Sequence, residues 1–171
     1  MIIRIATEED WPSLRKMVRW LDRENLEHGQ DSVEKEILAG MIHAFATKQE
    51  IVVAEGDGGT LHGFCAWVQL PMTGKDAMGL GTYVWPERLR RGGTGRAMRE
   101  MAERLLVARG VQSVVGVAAA GNDAGLKSCT TDGFRVTGYV VKKEFRHEGH
   151  EEKQQREGQQ REGSRPEVVL N

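Results

Sequence analysis

The chain has 171 residues, the length of one domain with a single core, and hydrophobic and charged residues make up 39% and 29% of it. Its net charge is -1 and no apolar run approaches the roughly 18 residues that span a bilayer, so we expect neither nucleic acid nor a membrane as a partner. The two cysteines, Cys65 and Cys129, lack the spacing of metal ligands, and the N-terminus lacks the basic start and long apolar centre of a secretion signal. These features predict a cytoplasmic protein with no structural metal.

A short strand and two helices are predicted before the main sheet. Residues 2–6 alternate enough for the strand, and Thr7 is the expected N-cap of an amphipathic helix that follows at once. The polar stretch 22–30 separates this helix from a second one, which Asp31 or Ser32 can cap.

The centre of the chain has the pattern of a hairpin and a third strand. Glu50 to Glu55 and Leu61 to Leu70 are buried strands joined by the turn at 56–59, and a further strand runs from about Ala77 to Trp85. Pro86 stops that strand.

The second half predicts two more helices and two strands. A glycine-rich segment leads into a helix that ends at Gly110, followed by a strand over Ser113 to Ala118. Asn122 to Thr131 is a short helix or turn, and Phe134 to Phe145 a last strand or strand pair. The order βααβββαβαβ indicates a mixed sheet of the α/β class, α+β type.

From His147 onward the composition changes to Glu, Gln, Arg, Gly and His, and QQREG occurs twice in succession. Such a segment cannot form a core, so we expect one domain over residues 1–146 and a polar, flexible tail over 147–171. The apolar Val168 to Leu170 near its end could dock on a partner or on the domain.

The segment Arg90 to Gly95 (RRGGTG) carries the strongest chemical signal. Glycines let the backbone approach a ligand, and the first N–H groups of the next helix point at whatever lies beneath them, which makes an anion site that the arginines reinforce. The alternative is a basic surface turn with a glycine-capped helix start. A nucleotide P-loop does not fit, because Gly74-Lys75 is followed by Asp76.

The segment resembles the acetyl-CoA motif of the GCN5-related N-acetyltransferase family: Gln or Arg, two residues, Gly, one residue, then Gly or Ala. Arg90, Gly93 and Gly95 match it and are reached through a strand ending at Tyr83-Val84-Trp85-Pro86. A second family element, Asn followed at a fixed spacing by Gly-Phe, is similar to Asn122 and Gly133-Phe134. The resemblance covers residues 1 to 146.

By this resemblance the fold is a mixed, mostly antiparallel sheet of six to seven strands flanked by about four helices. Acetyl-CoA is the implied cosubstrate, no metal is implied, and the backbone of Tyr83 and Val84 would hold the pantetheine arm and polarise the thioester. The pyrophosphate would lie on Arg90, Arg91, Gly92, Gly93, Thr94, Gly95 and Arg96. Asn122 would contact the cofactor arm, or cap the helix that follows, or both.

Two groups that the family uses are absent or replaced. Cys129 stands where the family usually has a tyrosine that protonates the departing thiolate; Cys129 or water could donate that proton, or Cys129 is a buried apolar filler. The strand from Ala77 to Trp85 carries no carboxylate or histidine to serve as a base. The remaining candidates for the base are Glu24, Glu27, His28, His43, Glu55 and His62. Of these, Glu55 is the predicted catalytic residue.

The sequence therefore predicts an N-acetyltransferase that moves the acetyl group of acetyl-CoA to a primary amine, of a small molecule or a protein, by direct attack. Trp20, Trp67 and Trp85 could line the acceptor pocket, although aromatics at such spacing are more often core. The alternative is a binding or assembly component with this fold and weak or no catalysis. Its partner would be a second copy of the chain or a larger assembly, reached through residues 147–171.

Overall fold

The computed structural model describes residues 1–71, 74–117 and 122–137, with Arg88 and Ala124 described by their backbone alone. The predicted tail and most of the predicted last strands therefore lie outside the described residues. Of the helices that are described, none is long and apolar enough to cross a bilayer.

The described elements follow the predicted order as far as they reach. The five strands are β1 (Ile2–Ile5), β2 (Val52–Glu55), β3 (Leu61–Gln69), β4 (Asp76–Val84) and β5 (Ser113–Val115). The four helices are α1 (Trp11–Glu27), α2 (Glu34–Ala46), α3 (Thr94–Ala108) and α4 (Asp123–Thr131). Short 3-10 turns cover Glu8–Asp10, Asp57–Gly59 and Glu87–Gly92.

The strands form one mixed sheet in the order β1-β2-β3-β4-β5. The first three pairs are antiparallel and β4 pairs with β5 in parallel, so the prediction of a mostly antiparallel mixed sheet is confirmed. Five strands, rather than six or seven, occur among the described residues. Residues 134–137, where the last strand was expected to begin, are not in a strand, and 138–145 are not described.

Successive strand residues point to opposite faces of the sheet, and each face is covered by helices. Phe64 and Tyr83 pack under α1 and α2, whereas Cys65, Trp67 and Val84 pack under α3. The end of β4 thus lies between α1 on one face and α3 on the other. Residues 1–135 form one compact unit.

The N-terminal helices differ from the prediction at their junction. Thr7 does precede the first helical turn, but residues 8–10 are a 3-10 turn, and α1 then continues through part of the stretch that was expected to separate the helices. Asp31 and Ser32 do not cap α2; instead the carboxylate of Asp22 in α1 accepts the N–H groups of Val33 and Glu34 at 2.7 and 3.1 Å. Asp22 is only 8% exposed. A buried side chain of α1 therefore satisfies the N–H groups at the start of α2.

Candidate active site at the end of β4

The sheet opens on one side of β4. Pairing with β5 covers only residues 76–78, so the rest of β4 has no strand partner on that side among the described residues. On its other side the N–H of Trp85 donates to the carbonyl of His62 at 2.7 Å, which makes these two residues a hydrogen-bonded pair with β3. Because such pairs alternate along an antiparallel ladder, Tyr83 also faces β3 and the N–H and carbonyl of Val84 point to the open edge.

The glycine-rich segment lies against that edge. Gly93 has φ of 79° and is the N-cap of α3, where no side chain satisfies the first N–H groups. A Cβ on Gly95 would lie 3.6 Å from Val84 Cγ2 and 3.8 Å from Thr82 Cγ2, whereas a Cβ on Gly92 or Gly93 would meet no atom within 4 Å. The first turn of α3 therefore has free N–H donors and open space above the glycines, directly beside the free edge of β4.

The arginines around the glycines have different environments. Arg90 donates from Nε to the carbonyl of Val84 at 2.9 Å and from its terminal nitrogen to both oxygens of Glu24 at 2.7 and 2.6 Å. Arg96 is exposed and pairs with Glu100 at 2.8 Å. Arg91 is exposed and makes no hydrogen bond or ion pair with any described residue. Arg91 is thus the arginine of this segment whose charge is not compensated by the described part of the chain.

Tyr83 links the strand to α1 on the face opposite α3. Its hydroxyl donates to Glu24 at 2.8 Å, and the guanidinium of Arg90 lies 5.3 Å from its ring centroid. Burial, and then the hydrogen bond to Glu24, raise the pKa of Tyr83 well above its usual range, so the hydroxyl stays protonated at neutral pH. Glu24, Tyr83 and Arg90 form one hydrogen-bonded cluster at the end of β4.

Two of the three tryptophans considered for the acceptor pocket lie together. The rings of Trp20 and Trp85 are 5.1 Å apart at an angle of 36°, and the ammonium of Lys16 lies 4.9 Å from the Trp20 ring. Trp67 is buried beneath α3 on the other face of the sheet, with its indole nitrogen unpaired. Trp67 is therefore a core residue and no part of this cluster.

Of the six candidates for the base, two contact the end of β4. Glu24 does so through Tyr83 and Arg90, and Nδ1 of His62 lies 3.2 Å from the carbonyl of Trp85. Because a carbonyl can only accept, this contact assigns the proton to Nδ1 and leaves Nε2 as an acceptor in the neutral ring. Glu55 lies on β2 and pairs with Arg4. The other three are exposed on α1, its C-cap and α2: Glu27, His28 and His43.

The second sequence element belongs to α4. Asn122 is the N-cap of this helix, because its Oδ1 accepts the N–H of Gly125 at 2.8 Å. Arg99 joins α3 to α4 through an ion pair with Asp132 and a 3.2 Å hydrogen bond to Ser128. In the sequence, Arg99 stands out only as one of several arginines around the glycines.

The two thiols lie in different surroundings. Cys129 in α4 is partly exposed, whereas Cys65 is fully buried and accepts a 3.2 Å hydrogen bond from the hydroxyl of Thr82. Burial raises the pKa of the Cys65 thiol to about 11. Among the described residues, no three His, Cys, Asp or Glu side chains are grouped to hold a metal ion.

Solved structures share this arrangement of elements. A predicted acetyltransferase from Clostridium acetobutylicum, solved with acetyl-CoA, aligns over 84% of this chain and 95% of its own with a TM-score of 0.65 and 18% identity. The chain has the fold of the GCN5-related N-acetyltransferases. An aminoglycoside 6'-N-acetyltransferase from Acinetobacter haemolyticus (20% identity, 86% and 100% coverage, TM-score 0.61) has the same fold. A ribosomal-protein-alanine N-acetyltransferase from Brucella melitensis also has this fold, with 22% identity, coverage of 81% of this chain and 86% of its own, and a TM-score of 0.62.

At these identities the likeness establishes the fold and leaves the substrate open. Neither a protein-family model nor a curated protein sequence matches the chain. The chemistry must therefore be argued from the site itself.

Proposed function

We propose that the protein transfers an acetyl group from acetyl-CoA to a primary amine. One observation carries the proposal: the uncapped first turn of α3, preceded by Gly92 and Gly93, lies directly beside the free edge of β4 at Val84. A ligand with a pyrophosphate at one end and an amide-containing arm at the other fits both features at once. The solved neighbour from Clostridium acetobutylicum that contains acetyl-CoA supports this choice.

The glycine-rich segment would hold the pyrophosphate. The first N–H groups of α3 have no acceptor within the helix, and the helix dipole favours negative charge at this end. The open space at Gly92 and Gly93 lets phosphate oxygens approach the backbone. Arg91, exposed and uncompensated among the described residues, would supply the charge-assisted bond.

The edge of β4 would orient the thioester. The N–H of Val84 points to the open edge and would donate to the thioester carbonyl as negative charge develops on that oxygen. The amine nitrogen attacks the carbonyl carbon, the carbon–sulfur bond breaks, and the electron pair leaves with sulfur as the CoA thiolate. The reaction needs no covalent enzyme intermediate.

Proton transfers set the remaining demands on the site. An alkylamine with a pKa near 10.4 must lose a proton at a cost of about 4.6 kcal/mol at pH 7, whereas a thiolate with a pKa near 8.5 leaves at a cost of about 2 kcal/mol. The base is therefore the greater need, and we assign it to His62, whose ring lies between the carbonyl of Trp85 and Gly56 of the hairpin turn. Protonation of the thiolate is the smaller need, so Cys129→Ala should cost less activity than His62→Gln.

The test is release of the CoA thiol from acetyl-CoA in the presence of a panel of primary amines, with acetylated amine identified by its mass. The proposal predicts release that needs both substrates and saturates with each. If acetyl-CoA binds but no amine accelerates thiol release above hydrolysis, acetyl transfer is wrong and the chain is a binding component with this fold.

A further inference from the structure

One face of α1 is directed at the end of β4. Lys16, Trp20 and Glu24 recur at intervals of four residues, which places them above one another on the helix surface. Trp20 contacts Trp85, and Glu24 contacts Tyr83, so this face lies against the strand end where the thioester would be held. We call Lys16, Trp20, Glu24 and Trp85 the α1 face.

The α1 face has a partly exposed aromatic surface. Trp85 is 39% exposed although its ring packs against Trp20. The ammonium of Lys16 at 4.9 Å from the Trp20 ring shows that this ring already attracts a cation. A ring placed on the exposed part of Trp85 would extend the aromatic pair in the offset or tilted geometry that such pairs prefer.

The charges of the α1 face do not suit a polycation. The carboxylate of Glu24 is bonded to Arg90 and to Tyr83, so its charge is compensated. Asp22, on the same helix, is buried as the cap of α2. Lys16 adds a positive charge, and His62, beside Trp85, adds no negative one. Within the α1 face itself, Glu24 is the one carboxylate, and it is already paired with Arg90.

We propose that the acceptor is an amine with a single basic nitrogen attached to an aromatic ring, bound with its ring on Trp85 and Trp20 and its amine toward Val84. The inference rests on the proposed acetyl transfer. It disfavours polyamines and aminoglycosides as acceptors, because these bring several positive charges to a face whose one carboxylate is already paired.

The test compares 2-phenylethylamine and tryptamine with spermidine and neamine as acceptors in the thiol-release assay. We expect kcat/KM to be at least about tenfold higher for the aromatic amines. Trp85→Leu should raise KM for 2-phenylethylamine by about tenfold with little change in kcat or in acetyl-CoA affinity. Lys16→Gln should lower that KM by about threefold, because it removes the competing cation. Trp11→Leu is the matched control, since Trp11 packs on Phe45 away from the α1 face.

The outcomes separate the two proposals. Preferred turnover of spermidine or neamine, or a KM that Trp85→Leu does not change, overturns the aromatic acceptor and leaves acetyl transfer standing. If no amine is turned over, acetyl transfer fails, and calorimetry of 2-phenylethylamine with the CoA-saturated protein decides the inference. Binding that Trp85→Leu removes supports the site, and no binding overturns it.

Discussion

Asp22 illustrates a contact between side chain and backbone that determines the geometry of the candidate site. One of its oxygens accepts hydrogen bonds from the hydroxyl of Ser32 and from the first N–H groups of α2. The carboxylate therefore accepts the N–H groups at the start of α2, where Val33 is the N-cap residue, and fixes α1, which carries Trp20 and Glu24, against this helix.

Removal of this cap should destabilise the fold. Asp22→Ala leaves buried N–H groups without an acceptor, and we expect a loss of about 2 kcal/mol in the free energy of unfolding, or about 4 to 8 °C in Tm. Glu27→Ala, which removes an exposed carboxylate from the same helix, is the control. Thermal melts that show equal losses for the two variants would contradict the cap.

Among single residues, the sequence marked the glycine-rich segment, which stays the predicted cofactor site, more clearly than its partners. Arg90 to Gly95 could be recognised in the sequence because the effect of its glycines and arginines depends only on local backbone conformation and local charge. The contacts of Arg90 with Val84 and Glu24 could not be recognised in the sequence, since Glu24 is 66 positions away from Arg90. The spacing of Lys16, Trp20 and Glu24 was the one signal that could have indicated the α1 face.

At the scale of elements, the site is made by the junction of the 3-10 turn, α3 and the free edge of β4. Gly93 turns the chain through a left-handed conformation, and Gly95 lets α3 approach β4 closely. Under the proposed function, neither element alone would hold a CoA-sized ligand at both ends. Their juxtaposition is what favours acetyl-CoA over an isolated phosphate.

A charge reversal at Arg91 tests whether acetyl-CoA binds at this junction. Arg91→Glu should weaken acetyl-CoA binding by about 10- to 100-fold, because a charge-assisted bond to phosphate is replaced by repulsion. Arg104→Glu makes the same change of net charge on the exposed side of α3, about 15 Å further along the helix, and should leave the Kd within about threefold of wild type. Calorimetric titration gives both values. Equal weakening in both variants would mean that net charge alone, and no site at Arg91, attracts the ligand.

Predictions of elements succeeded where apolar periodicity or glycine and proline defined them. The hairpin of β2 and β3, the strand β4 and the helix α3 all lie within a few residues of their predicted bounds. The prediction ended α1 too early because the end of this helix is polar, and a polar stretch has no apolar period to reveal a helix. The separation of β4 from β5 depends on pairing between distant strands, which no local pattern in the sequence reveals.

At the scale of the whole molecule, Arg4 joins the first strand to two other parts of the fold. Its guanidinium donates to both oxygens of Asp10, at 2.7 and 2.8 Å, and pairs with Glu55 on β2. The N–H of Thr7 also donates to Asp10 at 2.8 Å. The edge of the sheet and the start of α1 thus share one ionic cluster.

This cluster should make the free energy of unfolding depend on pH in the acidic range. The hydrogen bonds from Arg4, chiefly, hold the pKa of Asp10 below its usual value despite burial. A depressed pKa contributes stability that is complete above the unfolded pKa of about 3.9 and is lost as pH falls through the lower folded pKa. Asp10→Asn should therefore lose about 2 kcal/mol at pH 7 and lose less than wild type between pH 4 and 2.

Denaturant unfolding from pH 7 to 2 measures that dependence. Glu9→Gln, an exposed carboxylate in the same turn, is the control and should keep the wild-type pH dependence. Parallel pH curves for Asp10→Asn and wild type would show that the Arg4 contact does not set the acid stability.

If acetyl-CoA is the ligand of the glycine-rich segment and the β4 edge, it should stabilise the folded protein. Thermal unfolding with and without acetyl-CoA at about 100 times its Kd tests this directly. Binding to the folded state alone should add about 2.7 kcal/mol and raise Tm by about 5 to 11 °C, with a smaller rise for Arg91→Glu at the same concentration. An unchanged Tm with acetyl-CoA and with CoA would contradict the binding of acetyl-CoA by this protein.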